Sequence, residues 1–402
     1  MASRFNYPLL LCFLAAVMEG IDIISFGLAA AEMRTALNLT TEQIAFTASA
    51  NMAAFIVGAL AAGRGSDRYG RRMMLIISMA IIGVFSLLTA TATTFETMFL
   101  YRTLTGVGLG AAMPMFIALA AESGAPSGRV ARVSIMLSGS PLGGILASLF
   151  VATAWGADWR AIFILGGIGP LVIIPLLWRG IRTRPAPETA TETVALAPEA
   201  TKPPSRSLVL DALLGAGRGI LTALLWFGLL ANQVLTYTMF NWLPILLRDL
   251  GLERWQASTA MSLFMAAAVV GNIVIARFVT GSGRWMAVGT VFAGTVVSLL
   301  AYGAPGQTFV SLATISAFAG AFILSATVLL YGLATDLYPL EVRGTGVGAA
   351  TAVGRLGAIG GPLLAGAMLS LGAVTGTLLP AMAPFALVGG VAAVLLARRL
   401  TP

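Results

Sequence analysis

Apolar residues run in long, nearly unbroken blocks along this chain, punctuated by short polar stretches. Blocks of the length needed to cross a bilayer (roughly 20 residues) fall near 7–31, 43–63, 73–93, 96–120, 132–154, 160–179, 219–247, 256–280, 285–303, 308–332, 345–370 and 375–397. They predict an all-α membrane protein of twelve transmembrane helices. A different composition occupies 181–217, where Pro185, Pro187, Pro198, Pro203 and Pro204 alternate with Thr, Ala and Glu. That reads as a linker between two six-helix halves, 1–180 and 218–402.

The halves echo one another. Glu122, Pro126 and Arg129 follow the fourth block, and Asp336, Pro339 and Arg343 follow the tenth. The fifth block carries Gly139-Ser-Pro-Leu-Gly-Gly144; the eleventh carries Gly354, Gly360 and Pro362. Internal repeats that flank a site are a common plan for membrane transporters.

Composition agrees with lipid as solvent. Apolar residues make up 58 % of the chain and charged ones 10 %, against about a quarter charged in soluble domains. The net charge of +8 would fit a nucleic-acid partner, but its placement argues against one. With both termini cytoplasmic, the inside segments hold 18 of the 24 basic residues and the outside segments only Arg34, Arg160, Arg248 and Arg254. That is the positive-inside asymmetry of a multi-pass protein. The remaining two, Arg102 and Arg355, fall inside blocks.

The unusual residues are the charges within the apolar blocks. Glu19 and Asp22 are three apart in the first block, hence on one helical face. Ionisable groups at that depth are costly and point to a polar cavity or a partner. There is no histidine and a single cysteine, Cys12. Proton chemistry therefore falls to the carboxylates, no cysteine-rich metal site is expected, and no cofactor is implied. For Arg355 the alternatives are a salt bridge or recognition of an anion; for Arg102, a structural or a functional role. Asn232, Tyr237 and Asn241 along the seventh block, with Phe116 in the fourth, are the polar and aromatic candidates for holding a ligand ring.

After the second block comes Gly63-Arg-Gly-Ser-Asp67-Arg68-Tyr-Gly70-Arg71-Arg72. It resembles the signature loop of the major facilitator superfamily, whose pattern implies a gating role for Gly63, Asp67, Arg68, Gly70 and Arg71. The corresponding place in the second half, ending at Gly283-Arg284, lacks the acid. Further stretches are similar to the aromatic acid:proton symporters of that superfamily, above all its hydroxyphenylpropionate branch. They are Met18-Glu-Gly-Ile-Asp22, Thr105 to Ala112, Asn241-Trp-Leu-Pro244, Arg343 to Gly348 and Val353 to Ala358.

The resemblance implies the major facilitator fold and import of an aromatic carboxylate with protons by alternating access. It carries the proton-coupling acids onto Glu19 and Asp22, and the arginine of the eleventh span onto Arg355. The expected setting is a bacterial inner membrane. The expected partners are a small aromatic carboxylate, protons and lipid, with the chain a monomer. A charge count points the same way. Glu19 and Asp22 balance Arg102 and Arg355, so a bound carboxylate needs one proton to keep the interior neutral.

A proton-driven exporter of drugs or metabolites is the rival, because Ser140-Pro-Leu-Gly-Gly144 partly resembles the Gly-Pro motif of such exporters. A sugar carrier would need an acidic-proline motif that Trp178-Arg-Gly-Ile-Arg182 lacks. An enzyme would need a catalytic constellation that this composition does not supply.

Overall fold

The structure, a computed structural model, describes residues 6–125, 128–181, 213, 215–276, 283–339 and 342–400. Most of the expected linker 181–217 lies outside these residues, as does Pro126. Among the described residues, twelve helices are long and apolar enough to cross a membrane. The chain divides into two compact units, residues 1–190 and 191–402.

The first unit contains α1 (Tyr7–Ala36), α2 (Thr41–Tyr69), α3 (Arg71–Ala90), α4 (Phe95–Glu122), α5 (Arg129–Leu137), α6 (Gly139–Ala152) and α7 (Trp159–Gly180). The second contains α8 (Gly219–Asp249), α9 (Arg254–Ala276), α10 (Arg284–Ala301), α11 (Phe309–Leu337), α12 (Arg343–Ser370), α13 (Thr375–Ala381) and α14 (Ala383–Leu400). Helix is the expected answer to lipid, because every backbone N–H and C=O must find its partner within the segment.

The expected fifth and twelfth spans are each broken in two. Pro141 and Pro384 explain the breaks: each lacks the N–H that would bond the carbonyl four residues earlier, and its ring crowds that carbonyl. The helices also outrun the apolar blocks. Thr40 caps α2, Thr94 caps α4 and Thr308 caps α11, each side chain accepting from the backbone N–H three residues on while the threonine's own backbone N–H donates in return to the side chain of Gln43, Thr97 or Ser311.

Packing within each unit relies on glycine. A Cβ at Gly58, Gly106 or Gly110 would overlap the backbone carbonyl of Val107, Asn51 or Phe55, so α2 and α4 touch backbone to backbone. In the second unit Gly271 and Gly320 do the same for α9 and α11, against Ala321 and Phe264. Small residues allow this approach, and packing contacts are what hold helices together in lipid.

One end of each unit is tied by ion pairs. Arg71, at the start of α3, pairs with Glu122 at the end of α4. Arg284, at the start of α10, pairs with Asp336 at the end of α11 and donates to the Leu400 carbonyl. Beside them, Arg72 lies over the Trp178 ring at 4.8 Å, and Arg398 lies over Trp285 at 4.3 Å.

The backbone contact gives a test. Gly110→Ala forces α2 and α4 apart, at a cost of about 3 kcal/mol, the upper end for overpacking. Gly360→Ala, where nothing lies within 4 Å of the added carbon, serves as the control. In thermal unfolding of the purified protein, Gly110→Ala should lower Tm by about 6–12 °C and Gly360→Ala should not lower it. Equal Tm values for the two variants would refute the backbone contact.

Candidate functional site

Glu19 and Asp22 are both buried on α1. The segment around them is held against α6, because a Cβ at Gly20 would strike the Ser140 carbonyl and one at Gly143 the Val17 carbonyl. The Ser140–Gly144 stretch, read above as a partial exporter motif, is in place a packing surface for the acidic helix.

Asp22 is fully buried, and Arg102 from α4 is 2 % exposed. The guanidinium meets the carboxylate two-handed, with Nη1 donating to Oδ1 at 3.0 Å and Nη2 to Oδ2 at 3.1 Å. Ser86 of α3 also donates to Asp22 Oδ1, at 2.5 Å. The Phe163 ring of α7 lies 5.3 Å from the guanidinium and the Phe26 ring of α1 lies 5.9 Å from it. Asn51 of α2 donates to the Arg102 backbone carbonyl at 2.6 Å. Five helices therefore converge on one ion pair. Arg102, a substrate-binding candidate by sequence, has its fork filled by Asp22.

The second unit holds the other candidates. Arg355 on α12 donates to the Tyr237 hydroxyl of α8 at 2.9 Å. Phe240 stands edge-on to Tyr237 with ring centres 5.5 Å apart, and Phe264 edge-on to Phe240 at 6.4 Å. The α12 backbone lies close against α8, since a Cβ at Gly357 would overlap the Leu230 carbonyl. Trp242 secures the same pairing by donating to the Pro362 carbonyl at 3.2 Å. A half-buried arginine, a phenol and the partly exposed Phe240 ring, backed by the fully buried Phe264, can hold a carboxylate attached to an aromatic ring.

Three candidates have local roles. Asn232 donates to Thr327 of α11 at 2.7 Å, and Asn241 donates to the Tyr237 carbonyl one turn back at 2.8 Å. The Asn241 bond ends on the backbone of the residue whose hydroxyl meets Arg355. Phe116 is 1 % exposed in the apolar core of the first unit, among Met79, Leu109 and Met136. Its ring is committed to packing, which its apolar sequence neighbours had left open.

The expected signature loop is mostly helix. Gly63, Asp67 and Arg68 belong to the last turns of α2, and only Gly70 separates α2 from α3. Gly70 has φ +81°, a conformation that side chains disfavour. Asp67 and Arg68 are exposed, while Arg71 makes the ion pair with Glu122. Sequence reasoning missed Ser86, an unremarkable serine in an apolar block.

The Asp22–Arg102 pair predicts strong coupling. Removing one partner of a buried pair costs roughly 3–5 kcal/mol, because the other charge is left unpaired. Asp22→Asn and Arg102→Gln should each lower Tm markedly, while the double variant should lose far less than their sum. Additive losses in the thermal-unfolding cycle would contradict the pairing.

Residues 12–362 match the family model of the Major Facilitator Superfamily. The chain is 37 % identical over 398 residues to the 3-(3-hydroxy-phenyl)propionate transporter of Escherichia coli K12, covering 99 % of this chain and 95 % of that protein. It is 31 % identical over 391 residues to a gallate transporter of Pseudomonas putida, covering 90 % of this chain and 85 % of that one. Among solved structures, a bacterial homologue of the human lysosomal transporter Spinster superposes with TM-score 0.80 at 15 % identity, covering 99 % of this chain and 98 % of that one. A D-xylose–proton symporter gives 0.74 at 18 % identity, covering 98 % of each. These two likenesses bear on the fold alone. The chain belongs to the Major Facilitator Superfamily, and it is a multi-pass membrane transport protein rather than an enzyme.

Proposed function

We propose that this protein imports an aromatic carboxylate together with protons across a bacterial inner membrane, by alternating access. Its termini are cytoplasmic, and 181–217 links the two six-helix halves. The observation that carries the reading is the Arg355 guanidinium, held by the Tyr237 hydroxyl beside the Phe240 and Phe264 rings. The relatives named as aromatic-acid transporters support the same substrate class.

In this reading Arg355 binds the carboxylate, with Tyr237 orienting the arginine. Asn232 and Asn241 hold the wall, and Arg102 holds Asp22 in place one turn from Glu19. Coupling follows from charge. Asp22 and Arg102 already neutralise each other, so in the charge count of the whole chain the other two charges within the spans are those of Glu19 and Arg355. An incoming carboxylate takes the charge of Arg355, and a proton on Glu19 restores neutrality where unpaired charge is expensive. Glu19 can take that proton without opening the Arg102–Asp22 pair, and Asp22 cannot. The exposed turn at Asp67, Arg68 and Gly70 gates the exchange of conformations.

Uptake of labelled hydroxyphenylpropionate and hydroxybenzoate, with and without a protonophore, tests the whole reading. Proton-driven accumulation should collapse with the protonophore. Glu19→Gln should abolish accumulation while counterflow exchange, which moves no net proton, continues. Normal accumulation by Glu19→Gln would remove this acid from coupling.

The anion site has its own test. A lysine cannot match the planar fork that a carboxylate accepts, and losing a charge-assisted bond costs about 1.5–3 kcal/mol. Arg355→Lys should therefore weaken binding of an aromatic acid about ten- to a hundredfold and leave its neutral amide nearly unaffected. Equal losses for acid and amide would assign Arg355 to structure instead.

A further inference from the structure

Gln233 lies on α8 one turn before Tyr237, hence on the same face as the residue that holds Arg355. It is 7 % exposed, and its Oε1 is buried with no hydrogen-bond partner among the described residues. Buried polar groups are nearly always paired, so an orphan acceptor asks for an explanation. The neighbouring helix offers none. Beside Gln233, α12 is bare at Gly354 and Gly357: a Cβ on them would stand 3.4 Å from its Cγ and 3.1 Å from its Cβ. The adjacent Asn232 also has a buried Oδ1 without a partner among the described residues, but its amide nitrogen is anchored to Thr327 and the side chain is fully buried, so it is fixed out of a ligand's reach. Gln233 has a buried acceptor, no anchor, and a position next to Tyr237 and Arg355.

We propose that the Gln233 amide oxygen accepts a hydrogen bond from a ring hydroxyl of the substrate, making the transporter selective for hydroxylated over unsubstituted aromatic acids. This rests on the reading of Arg355 as the carboxylate site. Arg355 fixes one end of the ligand, the Phe240 and Phe264 rings flank the same stretch of α8, and Gln233 reads the polar group on the ring. A site built to bond a hydroxyl disfavours the analogue that lacks it, because its own acceptor is then left buried and unpaired.

The test is to titrate purified wild type, Gln233→Leu and Gln233→Met with 3-(3-hydroxyphenyl)propionate and with 3-phenylpropionate. Wild type should bind the hydroxylated acid more tightly. Each variant should lose about three- to tenfold for the hydroxylated acid, the value of one neutral hydrogen bond, and lose nothing for the unsubstituted one. The two acids should then bind alike. Equal losses for both acids, or a preference unchanged in the variants, would overturn the role of Gln233 while leaving the carboxylate site intact. Failure of wild type to bind either acid would overturn the carboxylate site and this inference with it.

Discussion

A charge carried into a bilayer must be met there, and in the first unit the meeting of Asp22 with Arg102 organises the rest. A lone arginine at the centre of a membrane helix costs about 2.5–3.5 kcal/mol even by the mildest scale. Here the fork and the carboxylate satisfy each other, Ser86 fills a further lone pair, and two aromatic rings flank the cation. The cluster draws on α1, α3, α4 and α7, and Asn51 ties in α2 through the Arg102 backbone. Any motion of these helices has to carry the pair along or break it. That gives the first unit a reason to move as a body.

The second unit treats its buried arginine differently. Arg355 is oriented by a neutral phenol, so its charge is steered by that contact but not cancelled by it. The contrast has a chemical consequence. A guanidinium locked two-handed to a carboxylate has both its Nη groups engaged there, whereas the bond from Arg355 to Tyr237 engages Nη1 with a neutral oxygen. Sequence alone left both arginines open to either role, because 80 residues separate Asp22 from Arg102 and spacing over that distance carries no register.

Much of the fold could be read before any coordinates. Twelve apolar blocks became twelve candidate spans, two of them interrupted, and Glu19 and Asp22 were conspicuous as acids among apolar neighbours. What escaped notice were features that hydropathy averages away. Pro141 and Pro384 break their spans because of one missing N–H each, a local covalent fact that an apolar window cannot register. The polar residues from Gly63 to Tyr69 looked like a loop because they were not apolar, yet backbone hydrogen bonding continues to Gly70. Ser86 and Phe116 could not be placed, since a serine or a phenylalanine in a membrane helix has no signature separating site from packing.

The internal repeat shows why residue matching sees only part of the design. The signature segment of the first half has no acid counterpart in the second, and by letters the correspondence fades there. By contacts it does not. The helix pairs α2–α4 and α9–α11 both meet through glycine against a bare carbonyl, and so do α1–α6 and α8–α12. Arg71–Glu122 and Arg284–Asp336 tie equivalent helix ends. Next to each, a cation lies on an indole with the partners exchanged: Arg72 on Trp178 in one unit, Trp285 under Arg398 in the other. An exchanged pair keeps the attraction, because charge and ring face attract whichever helix supplies which. What the repeat requires is the contact, and the two halves satisfy it with different residues.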